Sequence, residues 1–244
     1  MKKILSCILA IVLLCSLFLP VLAEDAELIY VYGGSSNKNH AKLKTQGQQS
    51  WYMMYSLEIN KGEEIDLTAF KECVQTETGM WKPAEPAVIP GSDPAKPDTM
   101  VTFTGDWFNI RKDGFLAGDT GYSAALKWVC EQDGYYDVSV NFSGGSSDGY
   151  AAEGYYDPNG GWWVPPADGC FMGMWIKEDM MFCEDTWEGE GHRLPRAELE
   201  FNYVDMKAGD VIWLVCDTKE NGGWDDPWFH LTITRVGDLE EESP

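Results

Sequence analysis

One pattern recurs from Met100 to Val236 and limits the folds open to this chain. Short segments rich in aromatic and β-branched residues alternate with turns built on Gly, Asp and Asn. Its clearest instance is YYDVSVNF, at 135–142. There Tyr136, Val138, Val140 and Phe142 share one face of an extended strand, and Asp137, Ser139 and Asn141 share the other. Strand side chains point alternately to opposite faces, so this period of two predicts one side in a core and the other in water. Half-buried strands of that kind belong to antiparallel sheets. Similar segments are SAALKWVC, just before it, and CFMGMWI, MMFCEDTW, ELEFNYV, VIWLVCD and FHLTITRV after it, and MVTFTGDWFNI reads as a strand pair or one broken strand. No strand–helix alternation and no internal repeat is visible, which disfavours a parallel α/β fold. The expectation is an all-β chain, an antiparallel β-sandwich of jelly-roll type, with a barrel as runner-up.

Before Met100 the signals are sparser. ELIYVY, ending at Tyr32, and the stretch 51–59 read as strands. Asp66 suits a helix N-cap, Leu67, Phe70 and Val74 follow at helical spacing, and Gly79 suits a stop, so one short helix is expected there. The proline-rich stretch 82–97 reads as an irregular connector. The expected core includes Trp128, Val138, Val140, Phe142, Met172, Met174, Phe201, Ile212, Leu214 and Cys216.

The first residues have a different character. Lys2 and Lys3 precede a nearly unbroken apolar run from Ile4 to Leu19, then Pro20 and Val21-Leu22-Ala23. That is the layout of a secretory signal peptide cut after Ala23, and it predicts a secreted, extracellular protein. The rival is an uncleaved anchor, but the run falls short of the roughly 20 apolar residues that usually cross a bilayer. The remaining length fits one sandwich domain at 24–236, followed by an acidic tail at 237–244. The net charge is −22, and loss of Lys2 and Lys3 makes it more negative still. Such a surface repels phosphate backbones and anionic lipid, so neither nucleic acid nor a membrane surface is an expected partner. Beyond the leader stand Cys73, Cys130, Cys170, Cys183 and Cys216, an odd set with no metal-type spacing. Mostly reduced, buried thiols are expected, with Cys170–Cys183 the one bridge a hairpin would offer.

Three stretches together carry a family likeness: AALKWVCEQDGYYDVSV (124–140), DGCFMGMWI (168–176) and MKAGDVIWLVCDTKENGGWDDPWFHLTI (206–233). In that order they resemble the jelly-roll β-sandwich domains of bacterial secreted proteins, similar to carbohydrate-binding modules. The likeness covers under half of the chain beyond the leader, and its motifs are mostly scaffold turns. It implies the architecture and a structural latch by Asn221 and Asp225. The segment 143–167 lies outside the pattern.

That segment opens the richest candidate site. Between Ser143 and Gly169 lie Tyr150, Tyr155, Tyr156, Trp162 and Trp163 among glycines and prolines, with no Lys or Arg. Sugar rings present C–H faces that stack on aromatic rings, and Tyr and Trp are large, rigid and carry a polar handle. Tyr155, Tyr156, Trp162 and Trp163, beside Asp148, Asp157 and Asn159, therefore suit glycan contact. The same rings would equally serve to hold the loop on its own packing. A second constellation, Asp217, Asn221, Asp225 and Asp226, offers oxygens of the kind calcium takes, though not at EF-hand spacing, and Asp and Asn are also ordinary turn formers. Catalysis has no signature: no GxSxG, no HExxH and no phosphate-cradling loop. The histidines are His40, His192 and His230, the last expected to point outward from a strand. The 40 acidic residues guarantee accidental carboxylate pairs, so a glycoside-active enzyme stands only as a third reading. The leading expectation is a secreted, non-catalytic glycan-binding protein. The alternative is a surface or matrix module that binds another protein through the same aromatics.

Overall fold

The computed structural model describes residues 28–33, 44–57, 65–90, 100–103, 108–111, 115–118, 121–143, 155–157, 162–164, 169–185, 196–219 and 227–239. Residues 1–27 and 240–244 lie outside them. The first half carries β1 (Ile29–Tyr32), β2 (Trp51–Ser56), β3 (Lys71–Glu72), β4 (Val74–Gln75), β5 (Trp81–Lys82), β6 (Ala87–Pro90), β7 (Met100–Phe103), β8 (Asn109–Ile110) and β9 (Leu116–Ala117). The second half carries β10 (Ser123–Val129), β11 (Gly134–Ser143), β12 (Tyr155–Asp157), β13 (Trp162–Val164), β14 (Phe171–Ile176), β15 (Asp179–Asp185), β16 (Arg196–Met206), β17 (Val211–Asp217) and β18 (Trp228–Gly237).

Two sheets build the sandwich. One has the order β1-β18-β11-β16, the other β15-β14-β17-β10-β2-β3, and their pairings are antiparallel. Take β1, β10, β11, β14, β15, β16, β17 and β18 as eight consecutive strands. The first sheet then holds the first, eighth, third and sixth, and the second holds the second, seventh, fourth and fifth. That interleaving is the jelly roll, with β2 and β3 added beyond β10.

The core lies where the alternation puts it. Tyr136, Val138, Val140 and Phe142 of β11 face Trp128 and Leu126 of β10, Ile212, Leu214 and Cys216 of β17, and Met172 and Met174 of β14. Rings bridge the sheets: Trp128 meets Tyr136 edge-on at 5.7 Å, and Phe142 stacks on Phe182 at 4.5 Å. Phe201, on the edge strand β16, packs against this core but is only half buried. His230 is exposed on β18, as its place in the alternation requires.

The segment after β2 departs from the expected helical spacing. Asp66 does act as a cap, its Oδ1 accepting from Thr68 N at 2.8 Å, but the helix is a single 3-10 turn, Leu67–Ala69. From Lys71 the chain is extended. Cys73 N donates to Met53 O, tying the segment to the sheet edge, and Gly79 serves a turn between β4 and β5. Val74 and Thr76 are β-branched and Val74 is exposed, so an apolar helical stripe never forms. The supposed connector likewise contributes β5 and β6.

Among the described residues no disulfide joins Cys73, Cys130, Cys170, Cys183 or Cys216 to another. The hairpin register places Gly173 opposite Cys183 and Phe171 opposite Asp185, so Cys170 and Cys183 do not face each other.

Candidate functional site

The two sheets differ on their outer faces. On the four-stranded sheet that face carries Asp137, Ser139 and Asn141 beside Thr232, Thr234, Glu198 and Glu200, a polar surface suited to water. On the six-stranded sheet it carries a second apolar cluster: Met54, Ala125, Val215, Trp175 and Trp213, with Tyr52, Phe171 and Val211. Ile65, Leu67 and Phe70, from the segment around the 3-10 turn, fold over part of it, and Phe70 lies 5.8 Å from Trp213. A second apolar face on a strand needs cover, and this segment supplies part of it.

The uncovered part is a groove of about 600 Å³. Part of its lining, Lys127, Trp213 and Trp175, belongs to one cross-strand row that Tyr52 extends. Tyr52 of β2 stands opposite Lys127 of β10, Lys127 opposite Trp213 of β17, and Trp213 opposite Trp175 of β14. Gly173 fixes the attitude of Trp175. A Cβ there would stand 2.4 Å from Cη2 and Cζ3 of the indole, so the ring lies over the glycine, along the sheet. Trp175 is 5% and Trp213 6% exposed, and the groove meets a narrow strip of each.

Polar groups rim the groove. The Lys127 ammonium lies 5.2 Å from the Trp213 ring centre and 6.0 Å from that of Tyr52. Asp66 and Thr68 line one side, and Lys177 and Glu178 close the end of β14. Lys177 Nζ donates to Asp205 Oδ1 at 2.9 Å and lies 3.7 Å from Asp210. The hydrogen bond to Asp205 raises the Lys177 ammonium above its ordinary range and holds the Asp205 carboxyl below its own. Hydrogen bonds from Thr68 likewise hold Asp66 low.

The residues expected from sequence lie on other elements or outside the described residues. Tyr155 and Tyr156 lie on β12, Trp162 and Trp163 on β13. The two strands pair as a ribbon with Tyr156 opposite Trp163 and Asp157 opposite Trp162. Their side chains lie outside what the structure describes. Asp217 ends β17 fully buried, its Oδ1 accepting from Lys219 N at 2.9 Å. Asn221, Asp225 and Asp226 lie outside the described residues. Among the described residues no three His, Cys, Asp or Glu side chains gather as metal ligands. Trp175, Trp213 and Lys127 were not singled out from sequence, although the signal was present. Once Met172 and Met174, or Ile212 and Leu214, point inward, Trp175 and Trp213 must point outward.

No family model matches this chain, and no curated protein does. Among solved structures it is similar to a β-glucosidase from Kluyveromyces marxianus in complex with glucose. The identity is 8%, the TM-score 0.27, and the match covers 86% of this chain and 19% of that one. The chain thus spans about a fifth of that protein's length.

Proposed function

We propose that this is a secreted, non-catalytic glycan-binding protein whose ligand lies in the groove on the six-stranded sheet. The observation that carries this reading is the groove itself. Its apolar floor holds Trp175, Trp213 and Phe70, and its rim holds Lys127, Lys177, Asp66, Thr68 and Glu178. Sugars need both parts, an aromatic surface for C–H faces and placed polar groups for hydroxyls. At about 600 Å³ the groove has room for a short oligosaccharide. The ribbon carrying Tyr155, Tyr156, Trp162 and Trp163 belongs to the same proposal as a second set of stacking surfaces.

Calorimetry against a panel of plant and host polysaccharides tests it. A ligand should emerge, and Trp213→Ala should weaken it about tenfold, the loss of one ring contact, with the unfolding temperature checking the fold. If only the Trp162→Ala, Trp163→Ala double variant loses affinity, the ribbon is the site and the groove is not. If no glycan binds, the proposal fails.

A protein-interaction module is the competing reading, and one feature favours it. At a bulge, Asn202 and Tyr203 of β16 oppose Asp137 of β11. Tyr203 is 72% exposed there at φ 56°, its N–H held by Asp137 Oδ1 at 2.9 Å. Tyr135 meets it edge-on at 6.5 Å. An exposed tyrosine backed by a half-buried one suits a protein hot spot. This reading predicts a partner retained from culture supernatant and released by salt, with no glycan affinity.

A further inference from the structure

The charge state of the groove narrows its ligand, given that it binds glycans at all. The chain carries a net charge of −22, and three of its described lysines hold a carboxylate. Lys71 pairs with Glu85, Lys177 with Asp205 and Asp210, and Lys219 with Asp185. Lys127 is the exception at this site. Among the described residues its ammonium has no carboxylate partner, and its neighbours are the rings of Trp213 and Tyr52. The other charges of the groove are already engaged or lie at its margins. Asp66 accepts two hydrogen bonds from Thr68, and Lys177 is committed to the Asp205 carboxylate. Glu178 follows Lys177 in the turn after β14. In the aromatic row, then, stands one half-buried cation with no carboxylate partner among the described residues.

We infer that the groove takes an acidic sugar, with the carboxylate of a hexuronate on Lys127 and the ring resting along the exposed strips of Trp213 and Trp175. The ammonium supplies up to three donors to a carboxylate, a charge-assisted contact about twice as strong as a neutral hydrogen bond. The aromatic row gives the ring its seat while the half-buried setting limits screening by salt. A neutral sugar in the same place leaves that ammonium facing hydroxyls alone. Specificity therefore arises at one position and depends on charge.

The test compares three probes of similar shape by calorimetry: oligogalacturonate, its methyl ester and a neutral galactan oligosaccharide. Wild type should bind the acid about tenfold or more tightly than either neutral probe, with affinity falling as salt rises. Lys127→Met keeps the apolar stem and removes the charge. It should lose the preference for the acid and bind acid and ester alike. Lys127→Arg should retain the preference in large part. Equal wild-type affinity for acid and ester, or a Lys127→Met variant that still prefers the acid, overturns the inference while leaving glycan binding intact. Absence of binding to every probe and to the wider panel removes the glycan reading and this inference with it.

Discussion

Gly173→Ala is the sharpest probe of this structure, because one contact sets its sign. Gly173 sits in β14 between Met172 and Met174, paired with Val215 on one side and Cys183 on the other. Ala suits a strand interior better than Gly by roughly 0.5–1 kcal/mol, so with free space the change would stabilise. Space is absent. The new methyl would stand 2.4 Å from two atoms of the Trp175 indole, where carbon contacts prefer about 3.5–4.0 Å. The ring must lift by about 1 Å, out of its packing with its neighbours, and overpacking of this kind costs about 1–3 kcal/mol. The net loss is then about 0.5–2 kcal/mol, a fall of roughly 1–8 °C in unfolding temperature for a chain of this size. Thermal unfolding by circular dichroism reads it directly. The decisive control is the same substitution in a Trp175→Ala background. There the obstacle is gone, and Gly173→Ala should be neutral or mildly stabilising. An equal loss in both backgrounds, or none in wild type, refutes the placement of the indole over the glycine.

Two further outcomes follow from buried groups. Burial, above all, pushes the Cys73 and Cys130 thiols and the Tyr55 and Tyr136 phenols up, and takes Tyr30 to about 12 with help from the adjacent Glu131. Unfolded thiols titrate near pH 8.5 and phenols near pH 10 (about, in both cases), so above those values the unfolded chain sheds protons that the folded chain keeps. Each group's contribution is fully present below its unfolded pKa and is lost as pH rises toward the folded value. The unfolding temperature should hold below about pH 8.5 and decline above it, with Cys73→Ala softening the first part of the fall; a flat profile to pH 10 would contradict this. The calcium assignment at Asp217, Asn221, Asp225 and Asp226 predicts that EDTA lowers the unfolding temperature and excess calcium restores it, and an unchanged transition removes it.

The scaffold was legible because its physics is local and repetitive. In β11 four inward residues alternate with polar ones, and each inward residue found the core. The stretch after Asp66 misled because Leu67, Phe70 and Val74 satisfy a helical spacing by coincidence. Tertiary contacts decide there: Phe70 is drawn onto Trp213, and Cys73 N is drawn to Met53 O. A spacing rule sees neither partner, since both lie on strands distant in sequence or beyond a turn. The Cys170–Cys183 pairing failed for a related reason. A hairpin's register depends on where its turn falls, and with Ile176 opposite Asp179 and Gly173 opposite Cys183 the two cysteines sit three residues out of register.

The site was less legible because its residues are scattered over β2, β10, β14 and β17, and become neighbours only through strand order. Local density of aromatics favoured the 143–169 stretch, where rings cluster in sequence. Trp175 and Trp213 are single residues inside strands that read as core, and each looks like Trp128, which is core. The difference is parity. Trp128 shares its face with Leu126 and Ala124, whereas Trp213 sits between the inward Ile212 and Leu214. An indole on the outward side of a strand is expensive to leave in water and must be covered by chain, partner or ligand. Ile65, Leu67 and Phe70 cover part of this face, and Gly173 lets Trp175 lie flat enough to cover more. What remains open is the groove around Lys127. On the proposed reading, the groove's ligand is the one that completes that lysine, and the aromatic ribbon of β12 and β13 remains the second candidate surface.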